Sequence, residues 1–172
     1  MAELTFNTTS GLTVARELLI CYLNTGSYSS AVWNAVGKRV EDSSMEMDWG
    51  EETKNDILGD TYTTLKKPVI TQSFEPCELD AGDLGQVKLW NLAVKDHDAQ
   101  ALANMDMLLV HFYAGASSTP FAERYPNSAV RPTELGGEGG GNIGMPIDVT
   151  FGGTREVGTA SISGSSVIFT KS

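Results

Sequence analysis

Between residues 42 and 49 the chain alternates without a break, with Asp42, Ser44, Glu46 and Asp48 on one parity and Ser43, Met45, Met47 and Trp49 on the other. Side chains on a strand point to opposite faces in turn, so this stretch reads as a strand that lays methionine and tryptophan on a core and holds a row of carboxylates toward water. A helix would scatter both sets around its circumference. The remainder of the chain must therefore supply a sheet with one wet face.

The rest of the sequence is mostly of the same kind. Residues 18–23 form an apolar run broken by Asn24-Thr25-Gly26-Ser27, and residues 31–37 read as strand followed by turn. Residues 49–60 are polar and too long for a tight hairpin turn, and a loop of that length in a compact domain is either disordered or functional. Residues 61–74 return as a threonine-rich, β-branched strand, which Pro68 interrupts or confines to an edge because proline has no N–H for the ladder. The period then changes. Leu84, Val87, Trp90 and Val94 recur at helical spacing across residues 83–95, and Asp96 or Asp98 can cap a further short turn through Asn104. Residues 107–113 read as a fully buried strand, and β segments follow at 129–134, 143–151, 155–162 and 166–170. The expected fold is all-β to α+β, a two-sheet antiparallel β-sandwich or barrel with one flanking α-helix, in a single domain over residues 1–172.

Within that chain, Gly139-x-Gly141-x-x-Gly144 formally satisfies the dinucleotide-binding pattern. The pattern works where a helix leaves the glycines, because the helix N-terminus supplies the free N–H groups that hold a pyrophosphate. What leaves them here is Met145-Pro146-Ile147-Asp148-Val149-Thr150-Phe151, a strand, so no cofactor is expected and residues 136–144 read as a glycine-rich turn. Twenty-two acidic side chains against 12 basic give a formal net charge of −10, a surface that repels phosphate rather than gripping nucleic acid. No apolar run approaches the ~20 residues needed for a membrane span. The opening MAELTFNTTSGL lacks the basic and apolar regions of a secretory signal, which places synthesis in the cytoplasm. Cys21 and Cys77 show no metal spacing and are expected to be reduced and structural.

The polar residues do not assemble into recognisable catalytic chemistry. His97, within Asp96-His97-Asp98, reads as part of a solvated cluster at a helix end, and His111 reads as a core histidine; neither stands beside a nucleophile. Glycoside hydrolysis needs two carboxyls facing each other across a sugar, whereas Asp42, Glu46 and Asp48 stack along one face of one strand. Trp33, Trp49 and Trp90 sit in apolar patterns that favour the core over a sugar-binding platform. The chain is not expected to be an enzyme, and no catalytic, cofactor-binding or metal-binding residues are assigned.

In order and spacing, Trp33-Asn34-Ala35-Val36-Gly37 with Val40, the acidic alternating strand, and the loop from Glu51 to Asp60 resemble the tail tube (major tail) proteins of long-tailed bacteriophages. So do Thr71-Gln72-Ser73-Phe74-Glu75-Pro76, Phe121-Ala122-Glu123-Arg124-Tyr125, Leu135-Gly136-Gly137-Glu138-Gly139 and residues 151–159. The resemblance implies a β-sandwich that assembles six to a ring, with rings stacking into a tube through which DNA passes during genome ejection without specific binding. It implies a location in the virion tail after assembly in the host cytoplasm, with a tape-measure protein and other tail proteins as partners. Asp42, Glu46, Asp48 and Asp148 would then face the lumen. The loop carrying Trp49, Glu51, Glu52, Lys54, Asp56, Ile57, Leu58 and Asp60 would contact the neighbouring ring or subunit, while Met45, Met47 and Trp49 would pack against the helix face of Leu84, Val87 and Trp90. Another tail component or secretion-tube subunit of the same fold, or a carbohydrate- or protein-binding β-sandwich module, are the rival readings.

Overall fold

The structure, a computed structural model, describes residues 3–172. After a short 3-10 turn at Arg16–Leu18 come β1 (Leu19–Asn24), β2 (Trp33–Ala35), β3 (Met45–Asp48), β4 (Glu52–Asn55), β5 (Thr61–Thr64) and β6 (Val69–Phe74). The helical region follows as α1 (Leu84–Trp90), a π-helical stretch at Asn91–Lys95, and α2 (Ala99–Leu102). The chain ends with β7 (Met105–Ala116), β8 (Thr119–Pro132), β9 (Ile147–Phe151), β10 (Glu156–Ser163) and β11 (Ser166–Lys171). All the strand pairing is antiparallel, and the fold is a β-sandwich with a flanking helix.

The two layers share β8. Its first half pairs with β7 and β10 in a six-stranded sheet ordered β2-β1-β7-β8-β10-β11, and residues 129–132 pair with β9 in a four-stranded sheet ordered β8-β9-β6-β3. The changeover is a bulge. Met107 pairs with Tyr125 but Met105 pairs with Ser128, so one extra residue of β8 is accommodated around Pro126, whose missing N–H costs no ladder bond there. Gly152 and Gly153 let β9 leave beneath this bend, since a Cβ at Gly152 would stand 2.5 Å from the Asn127 carbonyl and Gly153 has a φ of +79°.

The facing sides of the two sheets enclose the main core, in which Leu23, Met107, Leu109, Val130, Ile147 and Val149 are buried and Leu89 of α1 closes the flank. The six-stranded sheet buries its other face as well, around Tyr22, Trp33, Leu108, Val110, Ala122 and Ala160, with Val167 and Phe169 of β11 against it. Burial on both sides explains why the middle of β7 is an unbroken apolar run rather than an alternating one. Cys21 and Cys77 are free thiols in the interior.

The helix is set differently from its expected orientation. Asp83 caps it by accepting from the Gln86 N–H at 3.0 Å, and its buried side carries Gly85, Gln86 and Leu89. Leu84, Val87 and Trp90 face outward. The apolar stripe at i, i+3 and i+6 is thus not the inner face; a polar residue occupies that side because Gln86 accepts from the Asp80 N–H at 2.7 Å and donates to the Glu78 carbonyl at 2.9 Å. Met47 and Trp49 do not pack on the helix either. Met45 touches the core, whereas Met47 and Trp49 are exposed in a cleft at the end of the sandwich.

The two faces of α1 are separable by truncation. Leu89→Ala should cost about 2–4 kcal/mol of unfolding free energy, whereas Leu84→Ala should stay within about 0.5 kcal/mol, as read by urea denaturation of the monomer.

Candidate functional site

Three features of the surface stand out once the layers are in place, and all belong to the four-stranded sheet or the arm that grows from it. The first is the sheet's exposed face. Cross-strand partners Glu46 and Thr71, then Thr71 and Thr150, and beside them Ser73 and Asp148, then Asp148 and Arg131, put these side chains on one surface. Asp48 shares it opposite Val69, and Asp42 extends it through a bridge to Glu75. Asp42, Glu46, Asp48 and Asp148 therefore lie on one face. Their surroundings differ: Asp148 accepts from Ser73 Oγ at 2.7 Å and from Arg131 Nη2 at 2.9 Å, and these contacts hold its carboxyl below the usual range. Asp42, Glu46 and Asp48 have no ion-pair partner among the described residues. Glu75, which shares the parity of Ser73, joins Asp42 and Glu46 around a shallow depression of about 300 Å³. Sequence reasoning passed over it, although its parity was readable.

The second feature is that this sheet has two unpaired sides. Among the described residues β3 bonds only to β6, and residues 129–132 of β8 bond only to β9, since the pairing of β8 with β7 stops at Ser128. Both outer strands thus present backbone groups to solvent.

The third is an arm. Residues 49–60 do not form an open loop; β4 and β5 pair as a hairpin, from Glu52 opposite Thr64 to Asn55 opposite Thr61, with every residue of both strands exposed. The length of the polar segment concealed this, because the turn is organised by a side chain rather than by a two-residue type I′ sequence. Asp56 Oδ1 accepts from the N–H groups of Leu58 and Asp60 at 2.8 and 2.9 Å, and Gly59 supplies a φ of +89°. Trp49 stands at the root, where its carbonyl accepts from the Lys66 N–H at 2.8 Å. Glu52 and Lys54 form an exposed ion pair, and the tip presents Ile57 and Leu58 at 102% and 83% exposure. A two-stranded hairpin is by itself only marginally stable in water, and every residue of these two strands is exposed.

The sequence matches no protein-family model, and no curated protein matches it. Among solved structures the chain is similar to a subunit of an extracellular contractile injection system, the PVC sheath-tube complex in its extended state, with a TM-score of 0.49 and 6% identity over 87% of this chain and 94% of that one. It is similar to the PVC sheath/tube terminator at a TM-score of 0.49 and 9% identity, covering 86% and 98% of the two chains. A third similarity is to the anti-feeding prophage tube-terminating cap, with a TM-score of 0.47 and 13% identity over 90% and 96%.

A recess of about 640 Å³ opens beside the root of the arm. Met45, Met47, Trp49, Ile70 and Phe151 form apolar walls over a polar floor of His111, Glu123, Tyr125 and Arg155. Arg155 Nε donates to Glu123 Oε1 at 3.0 Å and the Tyr125 hydroxyl donates to Oε2 at 3.0 Å. His111 Nε2 stands 3.7 Å from Oε2, beyond hydrogen-bond distance, while its Nδ1 meets the Tyr113 hydroxyl at 2.9 Å. His111 is thus a partly buried member of a polar cluster in which Glu123 and Tyr125 are buried and Arg155 is exposed, and the cluster holds no nucleophile. His97 lies in the turn before α2, where Asp98 caps by accepting from the Ala101 N–H. The three tryptophans are dispersed: Trp33 is buried, Trp49 lines this cleft, and Trp90 lines a groove beside α1.

Burial pushes the Glu123 carboxyl upward, but His111 and Arg155 outweigh it and hold it at about 2. A carboxyl that binds protons less readily when folded adds stability that is complete above its ordinary value of 4.5 and lost as pH falls toward about 2. The urea midpoint of the wild type should therefore drop through that window. Glu123→Gln should be less stable at pH 7 and show a flatter acid limb.

Proposed function

We propose that the chain is a structural tube subunit: copies join edge to edge into six-membered rings, the rings stack, and DNA passes through the acidic-walled bore during genome ejection. The observation that carries this reading is a single four-stranded sheet with a free edge on both sides and unpaired carboxylates across its exposed face. An open edge is a template for another strand, and a sheet open on both sides can continue from copy to copy until a ring removes every edge. In that arrangement β3 of one copy lies beside residues 129–132 of the next. Six such sheets give a barrel of about 24 strands, which at about 4.8 Å between strands and a tilt of about 40° is roughly 48 Å across its backbone.

The chemistry of the exposed face suits transit rather than capture. Each phosphate gripped by Lys or Arg would release counterions and hold the polymer, whereas carboxylates repel it from the wall. Asp42, Glu46 and Asp48 supply that charge, and Asp148 contributes less because Arg131 neutralises it. A tape-measure protein and other tail proteins are the further partners in this reading. The particle is the tail of a virion assembled in the host cytoplasm.

Negative-stain images of the purified protein at rising concentration should show stacked rings with a central bore; a persistent monomer would overturn the reading. In assembled tubes, replacing Asp42, Glu46 and Asp48 together with lysine should create DNA retention at about 50 mM salt that is lost by about 200 mM, where the wild type shows none. Tubes of the triple variant that still exclude DNA would place these acids away from the bore.

A further inference from the structure

The arm and the cleft are complementary, yet they cannot meet within one copy. The arm leaves the sandwich at the mouth of the cleft, since Trp49 and Lys67 line that cleft and the bond from the Lys66 N–H to the Trp49 carbonyl closes the arm's root. From Gly50 to Leu58 an extended strand carries the tip about 25 Å away. The tip is Asp56-Ile57-Leu58-Gly59-Asp60, two bare aliphatic side chains between two carboxylates. The cleft offers the converse: apolar walls that include exposed Met47 and Trp49, with the cations Lys67 and Arg155 lining it. Arg155 is engaged by Glu123, while Lys67 has no carboxylate partner among the described residues.

From this match we infer that Ile57 and Leu58 of one copy insert into the cleft of a second copy, with Asp60 against Lys67. The inference rests on the tube reading, to which it adds the receptor for the arm. Two other apolar recesses compete. The one beside α1 is lined by Leu79, Ala81, Val87 and Trp90, with Asp80 already paired to Lys38 and no cation in the lining. The other, walled by Leu19, Ile20, Val36, Val40 and Phe74, holds Arg16, which already donates to the Ser43 and Leu19 carbonyls, and the acids Glu17 and Glu41. Neither offers an unengaged cation to an acidic tip. Because each copy gives its tip at one end of the arm and receives another at the root of its own, the contact is heterologous and propagates, which is what joining one ring to the next requires.

Disulfide trapping tests the pairing, because the native Cys21 and Cys77 are 3% and 1% exposed and stay silent. A Leu58→Cys protein is mixed with a Met47→Cys protein under assembly conditions and oxidised, and in parallel with a Val87→Cys protein. The expected result is a mixed dimer in the first mixture at least about tenfold more abundant than in the second. Independently, Lys67→Glu should raise the concentration at which polymer forms by about fivefold to tenfold, and adding Asp60→Lys to the same chain should restore it. Polymer without the 58–47 link, or with stronger linking to position 87, overturns the docking while leaving the tube intact. Failure of the wild-type protein to assemble overturns both.

Discussion

Strand β8 bonds to β7 and β10 over its first half and to β9 over its second, so the bend at residues 125–127 sets how the two sheets face each other. The interior at that bend is filled by Tyr125, whose ring lies 5.1 Å from that of Phe151 and whose hydroxyl reaches Glu123. Because the smaller sheet borrows only the end of β8, the far side of residues 129–132 has no strand beside it among the described residues. The free edge follows from the shared strand, and the proposed ring contact follows from the free edge.

Charge is distributed in keeping with this division. Acids and bases inside or between layers are matched, as in the bidentate contact of Arg124 with Asp106, whose guanidinium also lies 3.9 Å from the centre of the Tyr28 ring. On the open face of the smaller sheet Asp42, Glu46 and Asp48 remain unmatched, and their mutual repulsion is tolerated because water screens them. The arm shows the same separation of roles. It adds no core and no internal burial, so its sequence is free to serve a contact made elsewhere.

Much of this was legible in the chain. Strict alternation over residues 42–49 requires an exposed acidic parity, and β3 has one; the break at Pro68 separates β5 from β6; and Asp98, one of the two capping candidates, caps α2. What failed to read was anything decided by the partner surface rather than by local pattern. Leu84, Val87 and Trp90 have helical spacing, yet α1 turns Gly85, Gln86 and Leu89 inward because a small residue permits close approach and a glutamine satisfies backbone groups there. The first half of β8 escaped notice because Glu123 and Arg124 interrupt its apolar pattern; each is buried against a specific partner, which no periodicity reveals. Of the arm's two strands, β5 falls in the threonine-rich segment that reads as a returning strand, whereas β4, Glu52-Thr53-Lys54-Asn55, is polar and wholly exposed and lacks the alternation by which strands announce themselves.

The two interior thiols carry a consequence of their own. Burial pushes Cys21 up to about 12 and raises Cys77 as well, despite a nearby arginine in the one case and a glutamine contact in the other. The reactive species in oxidation and disulfide exchange is the thiolate, and at neutral pH it is almost wholly suppressed in both. While a copy stays folded, both thiols are therefore poor partners for disulfide exchange.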